Sequence, residues 1–286
     1  MHAEFAPQAG EGEIPGERMR SALLRGRDYT RLGITAAVAE GRAAIALSRG
    51  GAPKSSRSRD PNEDAALFAE GEGGILLAVA DGHGGCEAAE IAVEKLLASF
   101  APAWTGRALP GLREDWGGLA AAALGDLNAA ILARVALGGV ASARTTLALA
   151  LLRPAEDLLA FASLGDSHVF QLAASEVLEL GHERERRSCY LGFASETAES
   201  LADKQVAGVQ PLSGTRAIVL ATDGLSEQGI GVAVPEDAVA ECAEAAARGK
   251  PELQPLAVAR GVVARALAEH RRHRSGDNVA AAVAWP

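Results

Sequence analysis

The sequence predicts an α+β fold in which helices pack on antiparallel β-sheets. Strand-like and helix-like segments are segregated along the chain, in the order strands, helix pair, strands, helices and a last strand. This order disfavours parallel βαβ units, in which strands and helices alternate. In addition, 48% of the 286 residues are hydrophobic, so the chain can bury one large core without a second domain.

The amino-terminal segment is rich in Gly, Pro and charged residues and has no sustained hydrophobic period. This composition predicts a flexible extension over residues 1–33, followed by a single domain over residues 34–286. Short apolar runs predict the first four strands of the domain at residues 35–40, 43–48, 66–68 and 74–80. A loop rich in Gly, Ser and Arg, residues 49–61, separates the second strand from the third.

Apolar residues at helical spacing predict two amphipathic helices after these strands, one between about residues 86 and 100 and one over residues 116–136. Four close-set strand-like runs between residues 145 and 180 then predict an antiparallel meander. The carboxyl-terminal part predicts a buried strand in RAIVLATDG, a long helix through Leu253 and Leu267, and a last strand in NVAAAVAW.

Charge and cysteine content exclude several classes of function. The net charge of −9 opposes binding to nucleic acid or anionic lipid, but it could attract metal ions. The three cysteines are widely spaced and form no Cys-x-x-Cys pair, which argues against a disulfide framework or a structural zinc site.

The sequence has no apolar run near the roughly 18 to 20 residues of a membrane span and no signal-peptide pattern. We therefore expect a cytoplasmic protein.

Small acidic motifs fall at the ends of predicted strands, beside turn-forming residues. They are Asn62-Glu63-Asp64, Asp81-Gly82, Gly165-Asp166-Ser167, Asp223-Gly224 and Asp277-Asn278. Several of these carboxylates could converge at one edge of a sheet pair. Carboxylate oxygens without thiolates or a histidine-rich set favour Mg²⁺ or Mn²⁺ over zinc or copper. Each motif alone is also ordinary turn chemistry, so the hypothesis of a metal cluster depends on their joint order.

Six segments, read in order, carry a resemblance to a known family. They are RDPNEDA at 59–65, VADGHGG at 79–85, Thr-Thr at 145–146, LGDSHVF at 164–170, LATDGLSE at 220–227 and SGDNVA at 275–280. Together they resemble the metal-dependent protein serine/threonine phosphatases of the 2C type, over roughly residues 40–286. The resemblance implies an antiparallel β-sandwich flanked by helices on both sides, a four-layer α-β-β-α arrangement.

The resemblance also implies a set of metal-binding residues. They are Glu63, Asp64, Asp81, Gly82, Asp166, Asp223 and Asp277. Asp81 would bridge two Mg²⁺ or Mn²⁺ ions; the Glu63 carboxylate and the Gly82 carbonyl would help hold one ion, and Asp223 and Asp277 the other. Asp64 and Asp166 match more peripheral positions: Asp64 would act in the outer shell, and Asp166 with Asp223 would bind a third ion, as in many bacterial members.

Two further residues match the family's reacting groups. Arg59 stands at the position of the phosphate-binding arginine, and a guanidinium suits that role because its planar donors can grip two oxygens. His83 matches a position proposed as the general acid for the leaving oxygen; the alternative is a turn histidine that orients metal-bound water. The resemblance implies that a metal-activated water hydrolyses phosphoserine or phosphothreonine in proteins, without a covalent intermediate.

The sequence departs from the family pattern in three places. His168 replaces a common arginine and Arg144 replaces a glycine, and we assign neither a catalytic role. The segment between Gly181 and Arg216 is shorter than the family's usual flap, which leaves substrate selection and binding of the third ion open. Within it, His182 resembles a histidine that often approaches the phosphate, although a solvated loop histidine is an equal alternative.

Three functional hypotheses follow. The first is an active protein phosphatase that binds phosphoproteins, acts as a monomer, and binds neither nucleic acid nor membranes. The second is a metal-binding regulatory module that recognises phosphopeptides without hydrolysing them. The third is a hydrolase of a small phosphorylated metabolite. Hydrolases of the haloacid dehalogenase kind are disfavoured, because the sequence has no Asp-x-Asp pair after an early strand.

Overall fold

The structure is a computed structural model, and it describes residues 19–54, 59–109, 112–138, 143–173, 176–181 and 189–286. Its strands are β1 (Arg20–Arg25), β2 (Thr35–Glu40), β3 (Ala43–Ser48), β4 (Ala65–Glu70), β5 (Ile75–Ala80), β6 (Gly82–His83), β7 (Arg144–Thr145), β8 (Leu147–Arg153), β9 (Leu158–Leu164), β10 (His168–Ala173), β11 (Val177–Glu179), β12 (Val206–Gln210), β13 (Thr215–Ala221) and β14 (Val279–Ala284).

The long strands form two six-stranded sheets in which neighbouring strands are antiparallel. The order is β1-β4-β5-β8-β9-β12 in the first sheet and β11-β10-β13-β14-β3-β2 in the second, while β6 and β7 pair as a short ribbon. The helices are α1 (Glu87–Lys95), α2 (Ala101–Trp104), α3 (Leu112–Gly138), α4 (Ala198–Lys204), α5 (Pro235–Ala247) and α6 (Gln254–His273). Helices α1 and α3 pack on the first sheet, and α5 and α6 pack on the second. The predicted four-layer sandwich is therefore confirmed.

Three hydrophobic layers hold the sandwich together. One lies between the first sheet and its helices, one between the two sheets, and one between the second sheet and α5 and α6. Strand β5 shows why its run of apolar residues has no polar alternation: Leu77 and Val79 face the inter-sheet layer, while Leu76 and Ala78 face the helices. A strand that is buried on both faces loses the alternation of a half-buried strand.

The first ordered strand lies earlier in the chain than the sequence predicts. Strand β1 falls within the extension expected over residues 1–33, yet its residues pair with all of β4, from Arg20 opposite Glu70 to Arg25 opposite Ala65. Two half-buried side chains of β1, Ala22 and Leu23, pack against hydrophobic layers on opposite sides of the sheet. Residue 34 is therefore not the start of ordered structure, and residues 1–18 lie outside the described residues.

The predicted four-strand meander is wrong in its connectivity. Strands β8 and β9 form a hairpin in the first sheet, whereas β10 and β11 form a hairpin in the second. The link Gly165-Asp166-Ser167 therefore crosses from one sheet to the other, and Gly165 turns there with a positive φ of 102°. Apolar runs identify buried strands but do not specify which sheet each strand joins, which explains the error.

Helix α3 is the one helix among the described residues that is long and apolar enough to cross a membrane, over Leu112–Arg134. The criterion is weak, because the core helix of a globular domain meets it as well. Here Trp116, Leu124 and Leu127 are buried in the layer between the first sheet and its helices. The indole N–H of Trp116 also donates to the Phe161 carbonyl on β9, at 2.6 Å. The apolar face of α3 is therefore accounted for by packing.

Candidate active site

The predicted acidic residues converge because of how the antiparallel strands pair. Ala65 at the start of β4 lies opposite Ala80 at the end of β5, so the residues that flank these strands, Asp64 and Asp81, meet at one edge of the first sheet. In the second sheet, Ala221 at the end of β13 lies opposite Ala281 near the start of β14. The loops that carry the other predicted ligands, before β14 and after β13, therefore share one edge as well.

Three of the predicted ligands form a tight carboxylate group. Oxygen atoms of Asp81, Asp166 and Asp223 all lie within 4.8 Å of one another. Burial raises the pKa of Asp81 well above its ordinary value, and the nearby carboxylates of Asp223 and Asp64 add to this effect. Burial, followed by the charge of Asp166, likewise raises the pKa of Asp223. The group accumulates negative charge that a bound cation would offset.

Asp64 adds an oxygen that lacks a partner. Its side chain is buried, and Oδ2 accepts a hydrogen bond of 2.8 Å from the Thr222 hydroxyl. Oδ1 is also buried and has no hydrogen-bond partner within the described part of the chain. Burial raises the pKa of Asp64 to about 7, although the charge of Lys54 opposes the shift. A buried acceptor without a donor costs free energy, so this oxygen fits a site that receives a cation.

Glu63 is held by backbone donors and by the loop before β14. Its Oε1 accepts hydrogen bonds from the N–H groups of Gly85 at 2.7 Å and Arg59 at 3.3 Å. Its own N–H donates to Oδ1 of Asn278 at 2.9 Å. Because a Cβ on residue 82 would lie 2.3 Å from the Glu63 carbonyl oxygen, only glycine fits at Gly82. The acidic motif before β4 is therefore held against the loop that follows β5 and against the loop that precedes β14.

Asp81 is fixed by the Thr-Thr pair, in which Thr145 ends β7 and Thr146 directly precedes β8. The Asp81 carbonyl accepts hydrogen bonds from the Thr145 hydroxyl at 2.9 Å and from the Thr146 N–H at 3.0 Å. The Asp81 N–H in turn lies 3.3 Å from the Thr146 hydroxyl, which also contacts Ser167 Oγ at 3.0 Å. The two threonines thus orient the backbone of the predicted bridging ligand, and Thr146 also contacts the loop that carries Asp166.

Lys54 is a member of the site that sequence reasoning missed. Its Nζ lies 2.6 Å from Oδ1 of Asp277 and 3.7 Å from Oε2 of Glu63. Burial alone would lower the pKa of Lys54, but the carboxylates of Asp277 and Asp81 more than offset this effect and raise it. Lys54 stands in a loop rich in Gly and Ser, and no motif marks it. Two of the predicted metal ligands therefore pair with a lysine ammonium.

His83 lies at the rim of the acidic group, with 36% of its side chain exposed. Its Nδ1 is 3.4 Å from the Asp81 carbonyl oxygen and 3.8 Å from Oδ2 of Asp81. Its ring packs against Tyr190, with 4.8 Å between ring centroids. Burial lowers the pKa of His83, although the Asp81 carbonyl opposes the shift. The histidine thus has both contact with solvent and contact with the backbone of a predicted ligand.

The residues next to His83 come from the shortened segment and from β7. The guanidinium carbon of Arg144 stacks over the rings of Tyr190 and Phe193, at 5.3 and 5.6 Å from their centroids. A guanidinium over aromatic faces gains from cation–π attraction. Arg144, which replaces the usual glycine, therefore packs the short segment against the rim near His83. His182, in the same segment, lies outside the described residues.

Arg59 contacts the predicted ligands through its backbone N–H, which donates to Glu63, while its guanidinium points to another partner. Half of its side chain is exposed, and its Nη2 lies 3.6 Å from Oε1 of Glu87 at the start of α1. A second set of possible ligand atoms, from Asp60, Cys86 and Glu87, lies beside it. Burial raises the pKa of the Cys86 thiol to about 12, so this sulfur is protonated at neutral pH in the metal-free protein.

His168 has a structural role that its sequence context did not reveal. It is buried in β10, where Nδ1 pairs with the Glu179 carboxylate and Nε2 lies 2.6 Å from the Ser226 hydroxyl. Ser226 follows Asp223 by three residues, and its N–H donates to the Asp223 carbonyl. The histidine at the usual arginine position thus ties β11 to the loop that carries Asp223.

His270 on α6 connects two loops of the site and was not predicted. It is fully buried; Nδ1 accepts the Gly51 N–H at 3.2 Å, and the Nε2–H donates to the Gly224 carbonyl at 2.8 Å. Gly224 cannot carry a side chain, because a Cβ there would lie 1.7 Å from the Asn278 carbonyl oxygen. His270 therefore braces the backbone between Asp223 and the loop before Lys54.

We expect His270→Ala to lower the free energy of unfolding by about 2 to 4 kcal/mol, because it leaves the Gly51 N–H and the buried Gly224 carbonyl unpaired and opens a cavity. Urea denaturation monitored by circular dichroism checks this. His273→Ala, at the exposed end of the same helix, is the control and should change stability by less than about 0.5 kcal/mol. Equal stability of the two variants would show that His270 does not brace the loops.

Comparison with known proteins assigns the chain to a family. The family model described as Protein phosphatase 2C matches residues 52–257, a span that includes every predicted site residue except Asp277. The chain belongs to the protein phosphatase 2C family. It is accordingly a hydrolase of the protein-serine/threonine phosphatase class, and the family's dependence on metal agrees with the acidic group described above.

Solved phosphatases of the 2C type share the fold of this family member at low sequence identity. A bacterial serine phosphatase is 17% identical with a TM-score of 0.62, covering 86% of this chain and 98% of its own. The Mycobacterium tuberculosis serine/threonine phosphatase PstP/Ppp is 24% identical with a TM-score of 0.58, covering 85% and 97%. The serine-threonine phosphatase 2C from Toxoplasma gondii is 17% identical with a TM-score of 0.59, covering 94% and 99%. No curated protein sequence matches the chain.

Proposed function

We propose that this phosphatase hydrolyses phosphoserine and phosphothreonine in proteins, using two Mg²⁺ or Mn²⁺ ions, with Asp166 and Asp223 as ligands for a third. The observation that carries the proposal is the convergence of the strand-end carboxylates, with a buried Asp64 oxygen that has no donor among the described residues. Oxygen-only donor sets of this kind suit hard divalent ions. We further propose that the protein acts as a cytoplasmic monomer on phosphoproteins and binds neither nucleic acid nor membranes.

The residues present fit the metal ions that the family requires. Asp81 would hold both ions, with Glu63 and the Gly82 carbonyl completing one side and Asp223 and Asp277 the other. When bound, the ions supply Lewis-acid activation of a water molecule and offset the charge that builds on the phosphoryl oxygens. Asp64 would act from the outer shell, where its hydrogen bond to Thr222 orients it.

Two side chains at the rim would serve the substrate. Arg59 is half exposed and close to the Glu63 loop, and its guanidinium can turn from Glu87 toward a phosphate, because an exposed ion pair is weak. His83, beside the Asp81 backbone, would donate a proton to the serine or threonine oxygen as it leaves. With a general acid for the leaving group and an activated water as nucleophile, the proposed reaction needs no covalent intermediate.

We expect Arg59→Ala to raise KM for a phosphothreonine peptide roughly tenfold, which corresponds to about 1.4 kcal/mol of lost phosphate binding. The value of kcat should change little, because the activated water and the general acid are left in place. Arg59→Lys should recover part of the affinity, since a lysine keeps the charge but not the two-pronged geometry. Steady-state kinetics with Arg113→Ala as an exposed control checks this; a fall in kcat at constant KM would contradict the assignment.

The direct test is phosphate release from a phosphothreonine peptide, from p-nitrophenyl phosphate and from small phosphorylated metabolites, with Mn²⁺, with Mg²⁺ and with EDTA. We expect metal-dependent release from the peptide and from p-nitrophenyl phosphate, and reversible loss with EDTA. Release from metabolites alone would favour a metabolite hydrolase. If folded, metal-bound protein binds the peptide but releases no phosphate, the result would favour a regulatory module. Recovery with Zn²⁺ but with neither Mn²⁺ nor Mg²⁺ would contradict the choice of hard ions.

A further inference from the structure

Lys54 occupies a position among predicted metal ligands that a lysine would not be expected to hold. Its ammonium contacts Asp277 at 2.6 Å and Glu63 at 3.7 Å, and only 13% of the side chain is exposed. These two carboxylates are predicted to serve different ions, Glu63 one and Asp277 the other. The ammonium therefore lies between the two halves of the proposed metal site.

The backbone that carries Lys54 is fixed against the loop of Asp277. Lys54 and Gly276 form a parallel β-bridge, and the Gly276 N–H donates to the Pro53 carbonyl at 3.0 Å. The two segments touch so closely that a Cβ on Gly276 would lie 2.4 Å from the Ala52 carbonyl oxygen. The ammonium can therefore leave the carboxylates only by rotation of its side chain, and it stays within reach when it does.

The Lys54 ammonium and a divalent ion would repel each other if both bound these carboxylate oxygens. A Mg²⁺ ion binds carboxylate oxygens at about 2.0 to 2.1 Å. An ion on the oxygen that Lys54 contacts at 2.6 Å would bring two positive charges within roughly 5 Å of each other in a partly buried site, where their repulsion is weakly screened. Binding of the ion at Asp277 therefore requires the lysine to move away from that oxygen.

We propose that Lys54 is a tethered cation that neutralises Asp277 and Glu63 in the metal-free protein and competes with a divalent ion for them. The inference rests on the proposed metal-dependent function. The competing ammonium would raise the concentration of divalent ion that the phosphatase needs to fill its metal site. Removal of that ammonium should tighten metal binding while weakening the metal-free fold.

The first experiment is isothermal titration calorimetry of Mn²⁺ into the wild-type protein and into the Lys54→Met and Lys54→Gln variants. We expect both variants to bind Mn²⁺ with at least one Kd lowered about tenfold or more. Lys54→Arg retains the charge and should bind Mn²⁺ about as the wild type does. Lys204→Met removes a lysine that pairs with Glu196 near α4 and should leave every Kd unchanged.

Thermal denaturation gives a second measurement that does not depend on turnover. In EDTA, Lys54→Met and Lys54→Gln should melt several degrees below the wild type, because the buried Glu63 and the partly buried Asp277 lose their countercharge. With saturating Mn²⁺ the difference should disappear, so that the metal-induced rise in Tm is larger in these variants. Lys204→Met should show the wild-type rise.

A third measurement uses the wild-type chain and covers the case in which the substitutions impair folding. Acetylation of lysines with a limiting amount of N-hydroxysuccinimidyl acetate, read by mass spectrometry, reports how free each amine is. We expect Mn²⁺ to increase modification of Lys54 relative to Lys204, because the ion displaces the ammonium from its partners. Unchanged or reduced modification of Lys54 would overturn the proposal.

The outcomes separate this inference from the proposed function. Mn²⁺ binding that is equal or weaker in Lys54→Met and Lys54→Gln would show that Lys54 supports the site instead of competing for it. Tighter binding in these variants, with phosphatase activity absent throughout, would support the competition and contradict the function. If neither the wild type nor the variants bind Mn²⁺, both proposals fail together.

Discussion

Asp81→Asn is expected to lower kcat by roughly 1,000-fold or more, which corresponds to about 4 kcal/mol of lost transition-state stabilisation. The expected effect is large because Asp81 is the one predicted ligand shared by both ions. One of its oxygens also lies within 4.8 Å of oxygens of Asp166 and Asp223. An amide at this position keeps the volume and the backbone contacts with Thr145 and Thr146 but removes the charge. The fold should therefore survive while metal binding is lost.

Phosphate release from a phosphothreonine peptide at saturating Mn²⁺ measures this effect, and Mn²⁺ titration shows whether binding is lost with it. In the metal-free protein, Asp81→Asn should be neutral or stabilising, because burial and the neighbouring carboxylates raise the pKa of Asp81 well above its ordinary value. Asp126→Asn, on the exposed side of α3, is the matched control and should retain full activity. A rate within threefold of the wild type for Asp81→Asn would refute the bridging role.

His83→Gln is expected to lower kcat for a phosphoserine peptide roughly 100-fold, within the range usual for a lost general acid. The effect should depend on the leaving group. Serine alkoxide is a poor leaving group that requires a proton, whereas p-nitrophenolate leaves without one. The variant should therefore hydrolyse p-nitrophenyl phosphate at a rate within about threefold of the wild type. His273→Gln, at the exposed end of α6, provides the control.

The effect of His83→Gln on the rate should depend on pH. Burial lowers the pKa of His83, so the protonated form that donates becomes scarcer as pH rises through that lowered value. The advantage of wild type over His83→Gln on the peptide should accordingly be greatest at acidic pH and shrink as pH rises. Equal losses on the peptide and on p-nitrophenyl phosphate would instead indicate that His83 orients the active-site water, which is the alternative reading of this residue.

Much of the fold could be predicted because its strands are short apolar runs with clear breaks. The strands at 35–40 and 43–48 and the two helices that follow β5 appear where periodicity places them. The sheet to which each strand belongs could not be predicted, because β9 and β10 are both buried on both faces and their sequences do not distinguish neighbours. Strand β1 was missed because three of its six residues, Arg20, Ser21 and Arg25, are polar and it lies at the edge of its sheet.

The predicted acidic residues shared one signal, a carboxylate beside a turn at the end of a strand, and that signal depends on antiparallel pairing to bring them together. The residues that were missed carry no such signal. Lys54 lies in a loop without a motif. His270 continues the buried face of α6 three residues after Leu267, where the spacing predicts packing but no hydrogen-bond partner. Their roles depend on contacts between segments more than 200 residues apart, such as Lys54 with Asp277 and Gly51 with His270. Spacing along the chain cannot indicate such contacts.

The division of the ligands between the two sheets has a mechanical consequence. Glu63 and Asp81 flank strands of the first sheet, whereas Asp223 and Asp277 flank strands of the second, so an ion held by both sets would link the two sheets. The spacing of the donors would then depend on the relative position of the two sheets, which pack against each other through the apolar layer between them. A change of side-chain volume in that layer, far from any carboxylate, would alter the affinity of the site for the ion. The packing of this interior layer would therefore influence metal binding at the active site.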